Sequence, residues 1–163
     1  MRSRSRCYWS RSDCFRRVSR SRGRGKVWEG VKTVFNLVPC DNGFERDFAK
    51  FLDNAPDVTA YAKLPQPFGF SIEYTDGAMN LRSYYPDFVA MDGRGGRWLL
   101  ETKGAEYEEV AYKDTAAANW CENATQLTKT KWQYLKIPQK AFEMLQPSRL
   151  EHLRALRSAS VAG

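Results

Sequence analysis

The chain reads as an α/β protein: a helix, a mixed β-sheet with a central hairpin, a second helix and a closing strand, in that order. Three observations carry this reading. Phe44, Phe48, Phe51 and Leu52 recur at helical spacing. Two apolar runs flank Asp92-Gly93-Arg94-Gly95-Gly96, whose residue types suit a hairpin loop. Beyond the hairpin, Val110, Ala117, Trp120, Cys121 and Ala124 make a second helical stripe, followed by a strand-like run from Lys131 to Ile137. At 163 residues and 42% hydrophobic, the chain is about one domain long and can bury a core.

The elements can be justified in order. The opening MRSRSRCYWSRSDCFRRVSRSRGRGK holds nine Arg and one Lys against one Asp, a net +9, which leaves −2 of the chain's +7 for residues 27–163. Arg/Ser composition with little hydrophobicity cannot drive folding, so residues 1–30 are expected to be a disordered basic tail. Residues 31–147 form the expected domain, and 148–163 a C-terminal helix with a frayed end. Two readings of the tail stand level: contact with phosphates without sequence readout, and an accident of where the reading frame was taken to start. Its Arg- and Ser-rich, acid-poor character also fits a transit peptide, although it lacks a clear amphipathic helix.

The first helix should run from Gly43 to Asn54, capped by Asp41 or Asn42. Glu45 falls at the margin of its apolar stripe, where a solvated helix charge is one account of it. Residues 57–64 and 68–74 alternate as strands do, separated by Pro65 and Pro67. In the hairpin SYYPDFVAMDGRGGRWLLETKG, Asp87 lies seven residues before Arg94 and Glu101 seven after it, so the two should be cross-strand neighbours. Alternation places Glu101 and Lys103 on the face of Leu99, and Asp87 with Val89 and Met91; the other face carries Phe88, Ala90, Trp98 and Leu100. Both faces are apolar, which predicts central strands covered on both sides. Lys113 sits at the inner margin of the second helix, where it either snorkels or reaches toward the site or a phosphate. Phe142 and Leu145 suggest a short helix, and Leu150, Leu153 and Leu156 a polar C-terminal one.

Two acids and a lysine at the ends of apolar strands need something between them, because unpaired charge is poorly tolerated beside a core. A divalent metal is the simplest occupant. Mg²⁺ prefers oxygen ligands and is usually held by one or two carboxylates plus substrate phosphate. Asp87 and Glu101 suit that role, with the Thr102 carbonyl as a further ligand, and Lys103 would orient the attacking water or offset developing charge. A salt-bridged surface hairpin would show the same dipeptide and triplet. However, Glu101-Thr102-Lys103 is the only acid-x-lysine triplet in the chain, and its flanks are apolar.

The pattern Pro86-Asp87 … Glu101-x-Lys103 resembles the signature of the PD-(D/E)XK nuclease superfamily. FERDFAKFLD (44–53), YYPDFVA (84–90), LLETKG (99–104), YKDTAAANWC (112–121) and WQYLKIP (132–138) resemble, in order, the C-terminal endonuclease domain of the restriction subunit of type III restriction enzymes. The resemblance spans about residues 35–145. It implies a restriction-endonuclease-like core and a Mg²⁺-dependent DNA endonuclease, with Asp87 and Glu101 as metal ligands and Lys103 as the catalytic lysine. An acid on the helix before the sheet often joins such sites, which implies a role for Glu45. A helicase motor and a methyltransferase subunit are the implied partners.

Other chemistries lack their residues. Arg22-Gly23-Arg24-Gly25-Lys26 has no glycine five residues before Gly25 and no Ser or Thr after Lys26, so no ATP loop is visible and translocation cannot occur in this chain. It reads as a truncated remnant, a detached domain or a small separate protein. Cys7, Cys14, Cys40, Cys121 and His152 lack zinc spacing, and the cysteines suit reduced thiols of a cytoplasmic protein. No apolar run is long enough for a membrane. The mildly acidic domain and missing motor leave an alternative of another class: a catalytically silent nuclease-fold module that binds nucleic acid or a partner subunit.

Overall fold

The computed structural model describes residues 26–35, 37–104 and 110–156. Strands β1 (Lys26–Glu29) and β2 (Leu37–Cys40) precede helix α1 (Gly43–Asn54). Then come β3 (Val58–Lys63), β4 (Ile72–Thr75), β5 (Leu81–Tyr84), β6 (Phe88–Asp92) and β7 (Arg97–Lys103). Helix α2 (Val110–Thr128), strand β8 (Trp132–Pro138) and helix α3 (Gln139–Leu145) complete the order, with 3-10 turns at Gln66–Phe68 and Leu150–Arg154.

The central sheet has the order β3-β6-β7-β8, antiparallel except for the parallel pair β7–β8. This mixed sheet between helices is the expected α/β architecture, with the hairpin strands at its centre. Phe88, Ala90, Trp98 and Leu100 pack on one side with Phe48 and Leu52 of α1. Leu99 faces the other side, with Ala117 and Cys121 of α2. Coverage on both sides explains why the hairpin strands read as continuous apolar runs.

Asn42 caps α1, its Oδ1 accepting the Glu45 N–H at 2.8 Å. The hairpin loop is organised by Asp92, whose Oδ1 accepts the N–H groups of Arg94 (2.9 Å) and Gly96 (2.8 Å). Its Oδ2 accepts the Trp98 indole N–H at 2.9 Å. Gly95 supplies the left-handed conformation the turn requires, at φ 83°.

The structure differs from the sequence reading at the periphery. β1 forms within the stretch 1–30 assigned to the tail, because pairing with β2 gives Val27 and Trp28 an apolar partner strand. Residues 1–25 and 157–163, where tail disorder and a frayed end were expected, lie outside the described residues. Only the end of the expected strand 68–74 is extended: β4 starts at Ile72 and pairs with β5, since Pro65 and Pro67 favour the 3-10 turn before it. Leu150 and Leu153 lie in the 3-10 turn and Leu156 in the helical residues that follow it; the rest of the expected C-terminal helix lies outside the described residues. Leu150, Leu153 and Leu156 are buried in the main core. No helix among the described residues is long and apolar enough to cross a membrane.

Burial works against the Asp92 charge, but hydrogen bonds from Trp98, Gly96 and Arg94 outweigh it and hold the carboxyl below its ordinary value. A carboxyl depressed in the folded state contributes stability above its unfolded pKa and loses it as pH falls through the folded one. Asp92→Ala should therefore cost about 1–3 kcal/mol at neutral pH in denaturant unfolding. The gap from wild type should narrow below about pH 4. A gap that does not change with pH would remove the carboxylate from this role.

Candidate active site

The β6–β7 register pairs Phe88 with Leu100. Continued by one residue, it sets Asp87 opposite Glu101, as the spacing about the turn requires. The side chains do not face one another as that register alone suggests. Asp87 precedes the first residue of β6 and so escapes strict alternation. Its Oδ2 accepts the Thr102 N–H at 2.8 Å and the Thr102 hydroxyl at 2.6 Å. Its Oδ1 lies 3.3 Å from the Lys63 ammonium. Those three donors stabilise a carboxylate turned toward the α1 side of the sheet, away from Val89 and Met91.

Lys63 is the residue that sequence reasoning missed. It ends β3, paired with Phe88, and is 5% exposed. Its Nζ lies 2.9 Å from Glu45 Oε2 and 5.0 Å from the centre of the Phe88 ring. Burial lowers its pKa, but the charges of Asp87 and then Glu45 outweigh that and keep it above the ordinary lysine value. Glu45 is buried, so the reading of it as a solvated helix charge does not hold. Its carboxylate also accepts the Asp41 N–H at 2.8 Å and the Asn42 amide at 3.2 Å, tying the helix start to the sheet end.

Glu101 and Lys103 follow Leu99 on the α2 side. Lys103 Nζ lies 2.8 Å from Glu101 Oε1, and the Tyr84 hydroxyl donates to Glu101 Oε2 at 2.9 Å. Burial first, and then the charge of Asp87, raises the Glu101 carboxyl above its ordinary value. Burial pulls Lys103 down, but its hydrogen bond to Glu101 and that carboxylate's charge leave it above the usual lysine value. Burial also raises the phenols of Tyr84 and Tyr134, so both are neutral donors. Tyr134 donates to Asp114 Oδ1 at 2.6 Å, and Lys136 Nζ lies 3.1 Å from Asp114 Oδ2.

Asp87 thus joins Thr102, Lys63 and Glu45, while Glu101 joins Lys103 and Tyr84. Among the described residues the two acids share no hydrogen-bond partner, and they are coupled through charge. Lys113 is half-buried on α2 and makes no ion pair among the described residues. No group of three or more His, Cys, Asp or Glu among the described residues is arranged as a metal site. Cys40 and Cys121 are buried, and burial raises the Cys40 thiol to about 11.

Lone pairs decide whether the acids suit a hard cation. A carboxylate offers about four acceptor positions. Among the described residues, Asp87 Oδ2 has taken two hydrogen bonds, whereas Asp87 Oδ1 and both Glu101 oxygens have one partner each. Free oxygen lone pairs and a Glu101 carboxyl destabilised by its neighbour's charge are the donor chemistry that Mg²⁺ prefers.

A carboxyl raised in the folded state contributes stability below its unfolded pKa and loses it as pH rises through the folded one. In chelator, wild-type stability should therefore fall relative to Glu101→Gln as pH rises above about 4.3. Denaturant midpoints across that range check this, and parallel pH profiles would show that Glu101 bears no such strain.

A family described as Endonuclease domain matches residues 31–140, about two thirds of the chain. Comparison with curated proteins and with solved structures finds no match.

Proposed function

Since the chain belongs to the endonuclease-domain family, we propose that it is a Mg²⁺-dependent endodeoxyribonuclease module that hydrolyses phosphodiester bonds with Asp87, Glu101 and Lys103. The observation that carries this is the sheet end itself. Two carboxylates with free lone pairs stand on adjacent strand ends, and a lysine is ion-paired beside them. Asp87 and Glu101, with the Thr102 carbonyl, would hold the ion, which supplies charge neutralisation at the phosphate and a more acidic water.

The chain's own groups define the remaining roles. Lys103 is the more exposed of the two site lysines, with 28% of its side chain accessible against 5% for Lys63. An ammonium has three donors, and Glu101 uses one. Held above its ordinary pKa by Glu101, Lys103 keeps its proton. It therefore donates to the attacking water or a phosphate oxygen rather than accepting a proton. Thr102 fixes Asp87 through two hydrogen bonds, and Tyr84 fixes Glu101 through one. Both acids are thereby oriented before substrate arrives, which is where such sites gain their rate.

DNA is the proposed substrate. The order of motifs similar to the cleavage domain of type III restriction subunits supports action beside a motor and a methyltransferase subunit, in the cytoplasm. In that arrangement translocation and sequence reading lie outside this chain.

Lys103→Met should lower plasmid nicking in Mg²⁺ by about 10²–10³-fold, the scale for losing one donor to developing charge. Its circular dichroism spectrum should match that of the wild type, and chelator should abolish wild-type nicking. Equal nicking by the variant would end the catalytic role of Lys103. No nicking by the wild type in Mg²⁺ would overturn the proposed endonuclease activity of this chain.

A further inference from the structure

Among the described residues, Lys63 and Glu45 are buried charged groups at the sheet end to which the proposed chemistry gives no task. Lysine is rarely buried to this degree, and here it is 5% exposed. A lysine placed only to cover apolar surface would run its stem along the core and send its head to water. The Lys63 head instead points inward, with Glu45 Oε2 at 2.9 Å, Asp87 Oδ1 at 3.3 Å and the Phe88 ring on its apolar side. The acids it joins come from different elements, α1 and the start of β6. Without a cation between them, the buried carboxylate of Glu45 would face the partly exposed carboxylate of Asp87.

We propose that Lys63 is a resident cation: a positioning residue that occupies the place between Glu45 and Asp87 which a second divalent ion would otherwise take. Glu45 then acts on the site only through Lys63 and is not a metal ligand in this chain. The site holds a single ion, on the Glu101 side of Asp87. The ammonium, unlike an exchangeable ion, leaves Asp87 oriented at every metal concentration. This inference rests on the reading of Asp87 and Glu101 as ligands of one ion, so its test must separate the two.

Mn²⁺ bound per full-length chain can be counted from the electron paramagnetic resonance signal of the free ion, with no need for activity. The expected result is one ion for the wild type and two for Lys63→Met. The Lys63→Met/Glu45→Gln double variant should return to one, because Glu45 is the acid that Lys63→Met releases. Lys63→Gln, which keeps donors to both acids without the charge, guards against a Met variant that fails to fold and should also bind two. Mn²⁺ should raise the melting temperature of either Lys63 variant more than that of the wild type. One ion on wild type and Lys63 variants alike would overturn the resident-cation role and leave the single-ion reading standing. Two ions on the wild type would also overturn it. No ion on the wild type would overturn both readings.

Discussion

The architecture of the site depends on the β6–β7 register. With Phe88 opposite Leu100, every second residue of the hairpin faces α1 and the others face α2. A slip of one residue would exchange the two sets and drive Glu101 and Lys103 into the Phe48–Leu52 side of the core. Asp92 guards against that slip at the turn, and Thr102 guards against it at the open end by holding Asp87 through backbone and hydroxyl together. The Asp87–Glu101 end of the hairpin is thus secured by the same register that lets its apolar middle pack on both sides.

Charge is distributed unevenly over this frame. Three acids, Glu45, Asp87 and Glu101, meet two lysines, Lys63 and Lys103, so the sheet end carries an excess of negative charge. Removing one partner of a buried ion pair costs about 3–5 kcal/mol, because the other charge is left unpaired. Glu45 and Lys63 are both deeply buried, and each is ion-paired within the cluster. The strain appears on Glu101, whose carboxyl burial and Asp87 push upward.

Much of this was legible in the sequence, for physical reasons that can be named. The turn could be found because Asp and Gly cluster there, and spacing about Arg94 then set Asp87 opposite Glu101 without any knowledge of distant partners. The two helices followed from Phe44, Phe48 and Leu52, and from Ala117 and Cys121, all of which are buried. Lys63 was not legible: it ends a strand in VTAYAK, where a lysine looks like an edge charge, and Asp87 is 24 residues away. The same holds for Tyr84 and Tyr134, whose hydroxyls find carboxylates 17 and 20 residues away in sequence. The orientation of Asp87 was missed because alternation stops where the strand does, and local donors decide from there. β1 and β2 were missed because four-residue strands leave too short a pattern to read.

The two sides of the site are held by different chemistry, and the difference matters for access. On the α1 side a buried charged residue, Lys63, clamps the buried Glu45 and the partly exposed Asp87. On the α2 side the clamp is a neutral phenol: Tyr84 donates to Glu101, and burial keeps it protonated. A neutral donor orients a carboxylate without cancelling its charge, which is met by a lysine on both sides: Lys103 at 2.8 Å from Glu101 and Lys63 at 2.9 Å from Glu45. The remaining partner of Glu101 is Lys103, and it is the more exposed lysine. The more exposed lysine thus stands on the α2 side of the sheet end, and the buried Lys63 holds Asp87 from the α1 side.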